Sequence, residues 1–591
     1  MKEAVLRHGT SEQQADADLA SRWLGDFENA LRRRDVERLS GLFLSDSHWR
    51  DLLAFTWSYT PTEGRRPIAE RLVAAQGAIQ ARGFALALRR TPPRRVMRVG
   101  MEVVEAIFSF ETAVGLGHGV LRLQLGEPDK AWALMTALEE FKDQEEPVGE
   151  RRPSGAAVSR EFGGDNWADR RAKEQAFADR EPAVLIIGAG QAGLTTAARL
   201  GLLGVDTLCV DTLPRVGDAW RRRYRALALH NQVPINHLPY LPFPPNWPKY
   251  LSKDMVADWV ETFASAMQCN VWTGTSLVSA DRDEAGAHWH ARVRRADGTE
   301  RTLRPRHLVF ANGVAGDPSS PKLPGLDDFG GEVMHTHDYQ DGSAWKDKDA
   351  LVVGVGNSGH DVAQDLHSYG ARVTMVQRGS IMVVSVNSAL LNGSVYYDEK
   401  LPTEDCDLIA ATNTPTLLKR GYQMMTKRQM GLDKELLDGL AARGMKLDDG
   451  PDGAGYQMKT RDKHGGYYLN CGCSELIVDG KIGLLQFEDI DRFTADGARM
   501  KDGSVKKAAL IVMATGYQNQ QEVVRALLGN VMAEKVGPVW GVDADGELRN
   551  MFRPTPQKGL WFIGGGLAHA RINSRYLALQ IKAREAGIVE D

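Results

Sequence analysis

The chain has 591 residues, 43% of them hydrophobic and 25% charged, with a formal net charge of −4. This length fits roughly three or four domains and a core large enough for an enzyme, while the absence of a dominant basic face excludes a general nucleic-acid or polyanion binder. No apolar run is long enough to span a bilayer and no signal-peptide pattern opens the sequence, so a soluble cytoplasmic protein without a membrane partner is expected. The five cysteines are scattered and offer no disulfide framework. Cys471-Gly-Cys473, the only close pair, lacks the C-x-x-C spacing of a dithiol centre and the second pair of a zinc site, so no metal is expected.

Between residues 15 and 43, Leu19, Trp23, Leu24, Phe27, Leu31, Val36, Leu39 and Phe43 fall at helical spacing, and Leu44-Ser-Asp-Ser47 breaks it. Two helices are predicted. From about 82 to 126 the pattern turns to short alternating runs, Phe84–Leu88, Val103–Phe110 and Gly119–Leu125, which read as strands. Helices followed by strands make an α+β unit over residues 1–141. With Trp49-Arg-Asp-Leu-Leu53 and the closing Lys130-Ala-Trp-Ala-Leu-Met-Thr-Ala-Leu138, the stretch resembles the small cone-shaped domains of the SnoaL and nuclear transport factor 2 kind. The resemblance admits His48 and Asp51 as an acid and a base. The competing reading, a helix-end histidine and a cap in a structural or homodimerising module, is favoured because a fold does not fix a function. Residues 142–181 are charged and rich in glycine and proline and read as a linker, with Trp167 and Phe177 expected to pin it to a domain.

Val184-Leu-Ile-Ile-Gly-Ala-Gly-Gln-Ala-Gly193 then runs from an apolar strand through a glycine turn into the helical pattern of Leu194–Leu203. Gly188 permits the turn, Gly190 lets a pyrophosphate approach the backbone, and Gly193 lets the helix pack on the strand. Amides at the helix start face the phosphates. A second strand, Thr207–Val210, ends at Asp211, 18 residues past Gly193, where an acid holds a ribose hydroxyl. The proline- and aromatic-rich passage from Leu238 to Pro248 excludes regular helix, and its rings call for a flat apolar partner such as a flavin.

Leu308-Val-Phe-Ala-Asn-Gly313 is another buried strand ending in glycine, and the opening pattern recurs as Leu351-Val-Val-Gly-Val-Gly-Asn-Ser-Gly359, 166 residues after the first. Its next strand, Val373–Val376, leads to Gln377 and Arg378. Where the first fingerprint carries an acid this one carries a cation suited to a 2′-phosphate, so the first is assigned to FAD and the second to NADPH. Residues 385–465 read as a helical insertion, with pieces at 417–425 and 432–440 that would shape a substrate pocket. Ile477 and Ile482–Leu485 are expected to return the chain to the first domain, where Ala509–Tyr517 repeats the strand-to-glycine design through Gly516. Gly559–Gly566 is a strand into three glycines, whose bare amides, Gly565 included, suit a flavin edge. The expected fold class is α/β: two Rossmann-type dinucleotide-binding domains preceded by a small α+β cone domain. Its boundaries are 1–141, linker 142–181, FAD-binding domain 182–340, NADPH-binding domain 341–475, and the second part of the FAD-binding domain 476–591.

The order of these pieces over roughly 180 to 591 resembles the class B flavoprotein monooxygenases, which include flavin-containing monooxygenases, Baeyer–Villiger enzymes, N-hydroxylases and YUCCA enzymes. Phe329, Gly331, His335 and Tyr339 match the F-x-G-x-x-x-H-x-x-x-Y motif that links the two domains of that family. Tyr339, where Baeyer–Villiger enzymes typically carry tryptophan, is similar to the heteroatom-oxidising and YUCCA branches. Gly354, Gly356, Asn357, Ser358 and Gly359 match the NADPH turn. The sequence departs from the family at Ala311-Asn-Gly313, usually A-T-G, and at Gly217-Asp-Ala-Trp220, usually G-G-x-W. The resemblance places Trp220 and Asn312 at the FAD and Asn231 beside the flavin, with His230 as the alternative. It implies an NADPH- and O2-dependent oxygenase that moves one oxygen atom to a small organic substrate through a C4a-(hydro)peroxyflavin, the cofactor supplying the chemistry. N- or S-oxygenation is the first expectation, with Baeyer–Villiger or YUCCA-like decarboxylating oxidation of a ketone or 2-oxo acid as the alternative. A flavin-bearing regulatory module is the reading from another class.

Overall fold

The computed structural model describes residues 11–127, 129–155, 162–314 and 316–590. Helix Ser11–Arg33 buries Trp23, Leu24, Phe27 and Leu31 along one face, the stripe that a 3.6-residue period requires. Asp35 then caps helix Val36–Gly41 by accepting from the Arg38 amide. These helices lie on a seven-stranded sheet ordered 59–63, 43–52, 131–141, 115–124, 101–111 and 82–86, with 94–98 paired to 101–111. The α+β expectation is met in this form. Leu44–Ser47 does not break the chain: it lies inside strand Phe43–Leu52, where the register against Ala131–Phe141 shifts between Phe43 and His48. A bulge of this kind lets a strand carry an exposed polar pair without ending.

The connecting stretch contains helix Trp167–Ala176, closed by a reciprocal cap between Asn166 and Asp169. Phe177 is fully buried and meets Trp272 edge-on at 6.3 Å. Trp167, the first helical residue, stands 56% exposed and is not part of a buried core.

The first parallel sheet runs 271–272, 207–210, 184–187, 307–310, 560–562. Helices Gln191–Leu202 and Leu567–Glu585 pack on it and on each other. Covered faces explain why its strands read as unbroken apolar runs. The second parallel sheet runs 332–335, 510–513, 349–353, 372–377, 483–486.

This topology corrects the expected boundaries. Strand Glu332–His335 already belongs to the second sheet, and the chain does not return to the first at residue 476, since Gly483–Gln486 and Leu510–Met513 both pair within the second. The return comes with Leu560–Phe562. Apolar runs announce strands, but only hydrogen-bond register decides which sheet receives them.

The proline-rich passage finds its flat partner in the protein itself. Phe243 packs on Trp247 at 5.7 Å and on Trp259 of helix Lys253–Ala266 at 6.0 Å. The insertion carries helices Thr403–Ala411, Pro415–Leu432, Lys434–Ala442 and Gly455–Lys463. Its first two pack against the N-terminal sheet: Leu417 shares a core with Leu44, Val103 and Trp132, while Arg122 donates to Asn413 Oδ1 at 2.7 Å and to the Ile409 carbonyl at 3.0 Å. Arg50 makes a two-pronged bond to Glu547, at 2.8 and 2.9 Å. Among the described residues no helix is long and apolar enough to cross a membrane.

Candidate functional site

The first glycine turn sits at the carboxyl end of strand Val184–Ile187. Gly188 has a φ of +108°, and a Cβ there would stand 2.6 Å from the Ala311 carbonyl oxygen. A Cβ on Gly193 would lie only 2.0 Å from the Gly188 oxygen, so the helix touches the strand through this residue. A Cβ on Gly190 would meet no protein atom within 4 Å. That open space over the helix start fits a pyrophosphate. Asp211 is anchored beside it, Oδ2 accepting from the Ala189 amide at 2.7 Å and Oδ1 from the Leu213 amide at 2.9 Å. Each oxygen keeps a lone pair for a ribose hydroxyl. Trp220 Nε1 donates to Gln191 Oε1 at 3.2 Å, and Gln191 Nε2 donates to the Gly565 carbonyl at 3.3 Å. The fold therefore gathers Gly188, Gly190, Gly193, Asp211, Trp220 and Gly565 around one cradle. Asn312 follows the adjacent strand, its Oδ1 accepting from Gln520 Nε2 at 3.1 Å.

The second turn repeats this construction. Gly354 has a φ of +120°, a Cβ on Gly359 would fall 2.3 Å from the Gly354 oxygen, and one on Gly356 would face open space as far as 4.0 Å. The turn opens into a cavity of about 720 Å³ walled by Gly354–Gly359, Arg378, Lys463, Tyr467, Arg223 and Tyr517. Ser358 is on that wall. Asn357 is on it too, but its Oδ1 accepts from the Leu469 amide at 2.9 Å and so braces strand Tyr467–Asn470. Arg378 and Ser380 are exposed at the rim with Lys463. Sequence spacing gave no sign of Lys463, because the insertion brings it in from 85 residues beyond Arg378. Gly516, expected against FAD, lines this second cavity instead. The reason is topological: its strand, Leu510–Met513, pairs within the second sheet.

The linking motif ties the connecting strand to this domain. Gly331 lets the strand run against Ala509, whose oxygen would lie 2.5 Å from a Cβ, and the Phe329 ring lies over the same glycine. His335 is buried, its Nδ1 accepts from the His337 amide at 3.0 Å, and its ring meets Tyr517 edge-on at 5.5 Å. Tyr339 donates to Asp365 Oδ2 at 2.6 Å and is 1% exposed.

His230 and Asn231 occupy the loop that faces the second domain. His230 Nε2 lies 3.7 Å from Asp361 Oδ2, which also accepts from the Tyr224 hydroxyl at 2.6 Å. Burial pushes the Asp361 carboxyl up, opposed by His230 and Tyr224. The Asn231 side chain is exposed, and its carbonyl accepts from Asn236 Nδ2. In the N-terminal domain, Asp51 accepts from the Phe55 and Thr56 amides and from the Thr56 and Thr136 hydroxyls, which makes it the keystone of a turn. Burial still pushes it up to about 6. His48 is buried against Thr414 of the insertion, at 3.2 Å. Asp51 thus holds a turn of its own domain, and His48 joins that domain to the insertion.

Two parallel sheets, each with a glycine cradle at its carboxyl edge and joined through the linking strand, define a flavoprotein oxidoreductase with separate sites for two dinucleotides. A family model described as pyridine nucleotide-disulphide oxidoreductase matches residues 185–395. The chain is 31% identical over 349 residues to indole-3-pyruvate monooxygenase YUCCA1 of Oryza sativa subsp. japonica, spanning 57% of this chain and 77% of that protein. It is 31% identical over 340 residues to probable indole-3-pyruvate monooxygenase YUCCA4 of Arabidopsis thaliana, spanning 57% and 76%. An ε-caprolactone-bound crystal structure of cyclohexanone monooxygenase shares the fold with a TM-score of 0.51 and 16% identity, over 69% of this chain and 88% of that one. The chain belongs to the YUCCA-like family of flavin monooxygenases and is an FAD-dependent NADPH monooxygenase.

Proposed function

We propose that the cradle at Gly188–Gly193 holds FAD through Asp211, Trp220, Asn312 and Gly565, and that the 720 Å³ cavity holds NADPH with Arg378 and Lys463 on its 2′-phosphate. FAD, when bound, supplies hydride acceptance and oxygen activation, and NADPH the reducing equivalents. The protein supplies orientation, exclusion of water, and the His230 imidazole held toward Asp361 across the two domains.

The oxygen acceptor in this reading is a small organic acid bearing a ketone, of the 2-oxo acid class. The observation that carries it is Arg223. Its guanidinium stands on the cavity wall where the first-domain loop meets the second domain, Nη1 donates to the Tyr517 hydroxyl at 3.1 Å, and its buried Nε has no partner. A guanidinium on a cavity wall, with a donor still uncommitted, suits a carboxylate. The names of the plant relatives, indole-3-pyruvate monooxygenases, point to the same class. Tyr339, at a position shared by the heteroatom-oxidising and YUCCA branches, does not separate N- or S-oxygenation from oxidation of a 2-oxo acid; its hydroxyl is committed to Asp365.

The test is NADPH and O2 consumption by the purified holoenzyme with 2-oxo acids, ketones, amines and sulfides, followed by product analysis. Turnover with decarboxylation of 2-oxo acids is expected, and Arg223→Ala should raise KM for the acid far more than for a neutral ketone. Turnover of amines or sulfides alone would refute the substrate assignment.

A further inference from the structure

The antiparallel hairpin formed by strands Ser276–Asp283 and His288–Arg294 lies outside both dinucleotide cradles. Its inward face is fixed: Trp289 is fully buried and donates from Nε1 to the Gly559 carbonyl at 3.1 Å. On the other face, register sets Asp283 opposite His288 and Asp281 opposite His290. His288 and His290 are two apart on one strand and so share that face, with ring centroids 4.9 Å apart. One ligand atom each from Asp283, His288 and His290 lies within 4.8 Å of the others.

The turn at Gly286 orients two of the three groups. Its carbonyl lies 2.9 Å from His288 Nδ1, and since a carbonyl only accepts, Nδ1 carries the proton and Nε2 presents its lone pair. That Nε2 is buried without a hydrogen-bond partner and points at Asp283 Oδ2, 3.8 Å away. The Gly286 amide donates to Asp283 Oδ1 at 3.0 Å, which turns Oδ2 toward the same point. A ring nitrogen whose opposite N–H is held by a backbone carbonyl is the usual support of a metal-bound histidine. A Cβ at this position would press on both groups, lying 2.5 Å from the His288 ring and 2.7 Å from Asp283 Oδ2.

We propose that Asp283, His288 and His290 form a binding site for a divalent transition-metal ion of the zinc type. Two neutral imidazoles and a carboxylate suit such an ion and leave a position open for water. Bonds of about 2.0 Å in a tetrahedral site need ligand atoms roughly 3.3 Å apart, so the 3.8 Å gap between His288 and Asp283 closes by a small side-chain movement. Asp281, across from His290, adds negative charge on the same face. The ion would clamp the free end of a hairpin whose other face is already bound to the first domain.

The test uses the FAD-loaded full chain, stripped of metals and equilibrated with Zn2+, with bound metal counted by mass spectrometry. One Zn2+ per chain is expected, lost in His288→Ala and in His290→Gln. Gly286→Ala should weaken it by about tenfold or more through the disturbed support. FAD content and NADPH oxidation should be unchanged in all three variants, which checks their folding. Co2+ should give a spectrum without a thiolate charge-transfer band. No bound Zn2+, equal binding by wild type and both histidine variants, or a thiolate band that moves the ion to the group of His230, Asp361 and Cys471 would each overturn the proposal.

Discussion

Gly190 and Gly193 stand in one turn, yet alanine at each should fail for a different reason. At Gly193 the new methyl would lie 2.0 Å from the backbone oxygen of Gly188, more than an ångström inside any normal contact. Neither partner is a flexible side chain, so helix Gln191–Leu202 must move off strand Val184–Ile187, at the cost of about 1–3 kcal/mol typical of overpacking. At Gly190 the methyl meets no protein atom within 4 Å, and the φ of −79° there is open to any residue. The FAD-free Gly190→Ala protein should therefore keep its stability to within about 1 kcal/mol, the change expected at a helix N-cap. It should nevertheless bind FAD at least about tenfold more weakly, about 1.4 kcal/mol, because the methyl occupies the space kept for the pyrophosphate. Thermal melts of the stripped proteins and FAD titration followed by flavin fluorescence separate the two effects. A Gly193→Ala protein with wild-type melting, or a Gly190→Ala protein with wild-type FAD affinity, would refute the reading of this turn.

Three further outcomes follow from the same structure. Arg378→Ala should raise KM for NADPH by roughly tenfold or more, the worth of a charge-assisted hydrogen bond, while leaving KM for NADH nearly unchanged; steady-state kinetics with both nucleotides checks it. Burial alone would push Glu105 up, but the hydrogen bond from Arg98 and the charges of Arg122, Arg98 and Arg94 outweigh burial and hold it at about 2, against 4.5 in a free side chain. A depressed carboxylate stabilises the fold above the unfolded value and loses that contribution as pH falls toward the folded one. The stability gap between wild type and Glu105→Gln should thus hold from neutrality to about pH 4.5, amount to roughly 3 kcal/mol, and shrink steadily below that in acid denaturation series. Arg50→Ala leaves Glu547 buried without its partner, with the Glu547 side chain 4% exposed. It should cost about 3–5 kcal/mol, read as early release of the N-terminal domain in limited proteolysis.

Much of this arrangement was legible in the sequence, because parallel strands buried on both faces and their glycine turns leave a local signature. Asp211 and Arg378 are candidates for the same reason: each sits at a short distance beyond its turn. What local pattern does not encode is pairing. Leu510–Met513 reads alike whichever sheet takes it, so only the pairing puts Gly516 on the wall of the second cavity. Lys463 reaches the nucleotide cavity, and Leu417 the N-terminal core, only through the packing of insertion helices. The rings of the proline-rich passage call for a flat apolar neighbour, but local pattern does not say that Trp259 supplies one to Phe243.

The pairing of Leu308 with Leu560 joins positions 252 apart in sequence as neighbours in the FAD sheet. During synthesis at about 5–20 residues per second, strand His307–Phe310 waits roughly 13 to 50 s for the edge that covers it. The second sheet has all its strands by Met513 and can close first. The nucleotide domain is thus able to close on the ribosome while the flavin sheet still lacks its last strand.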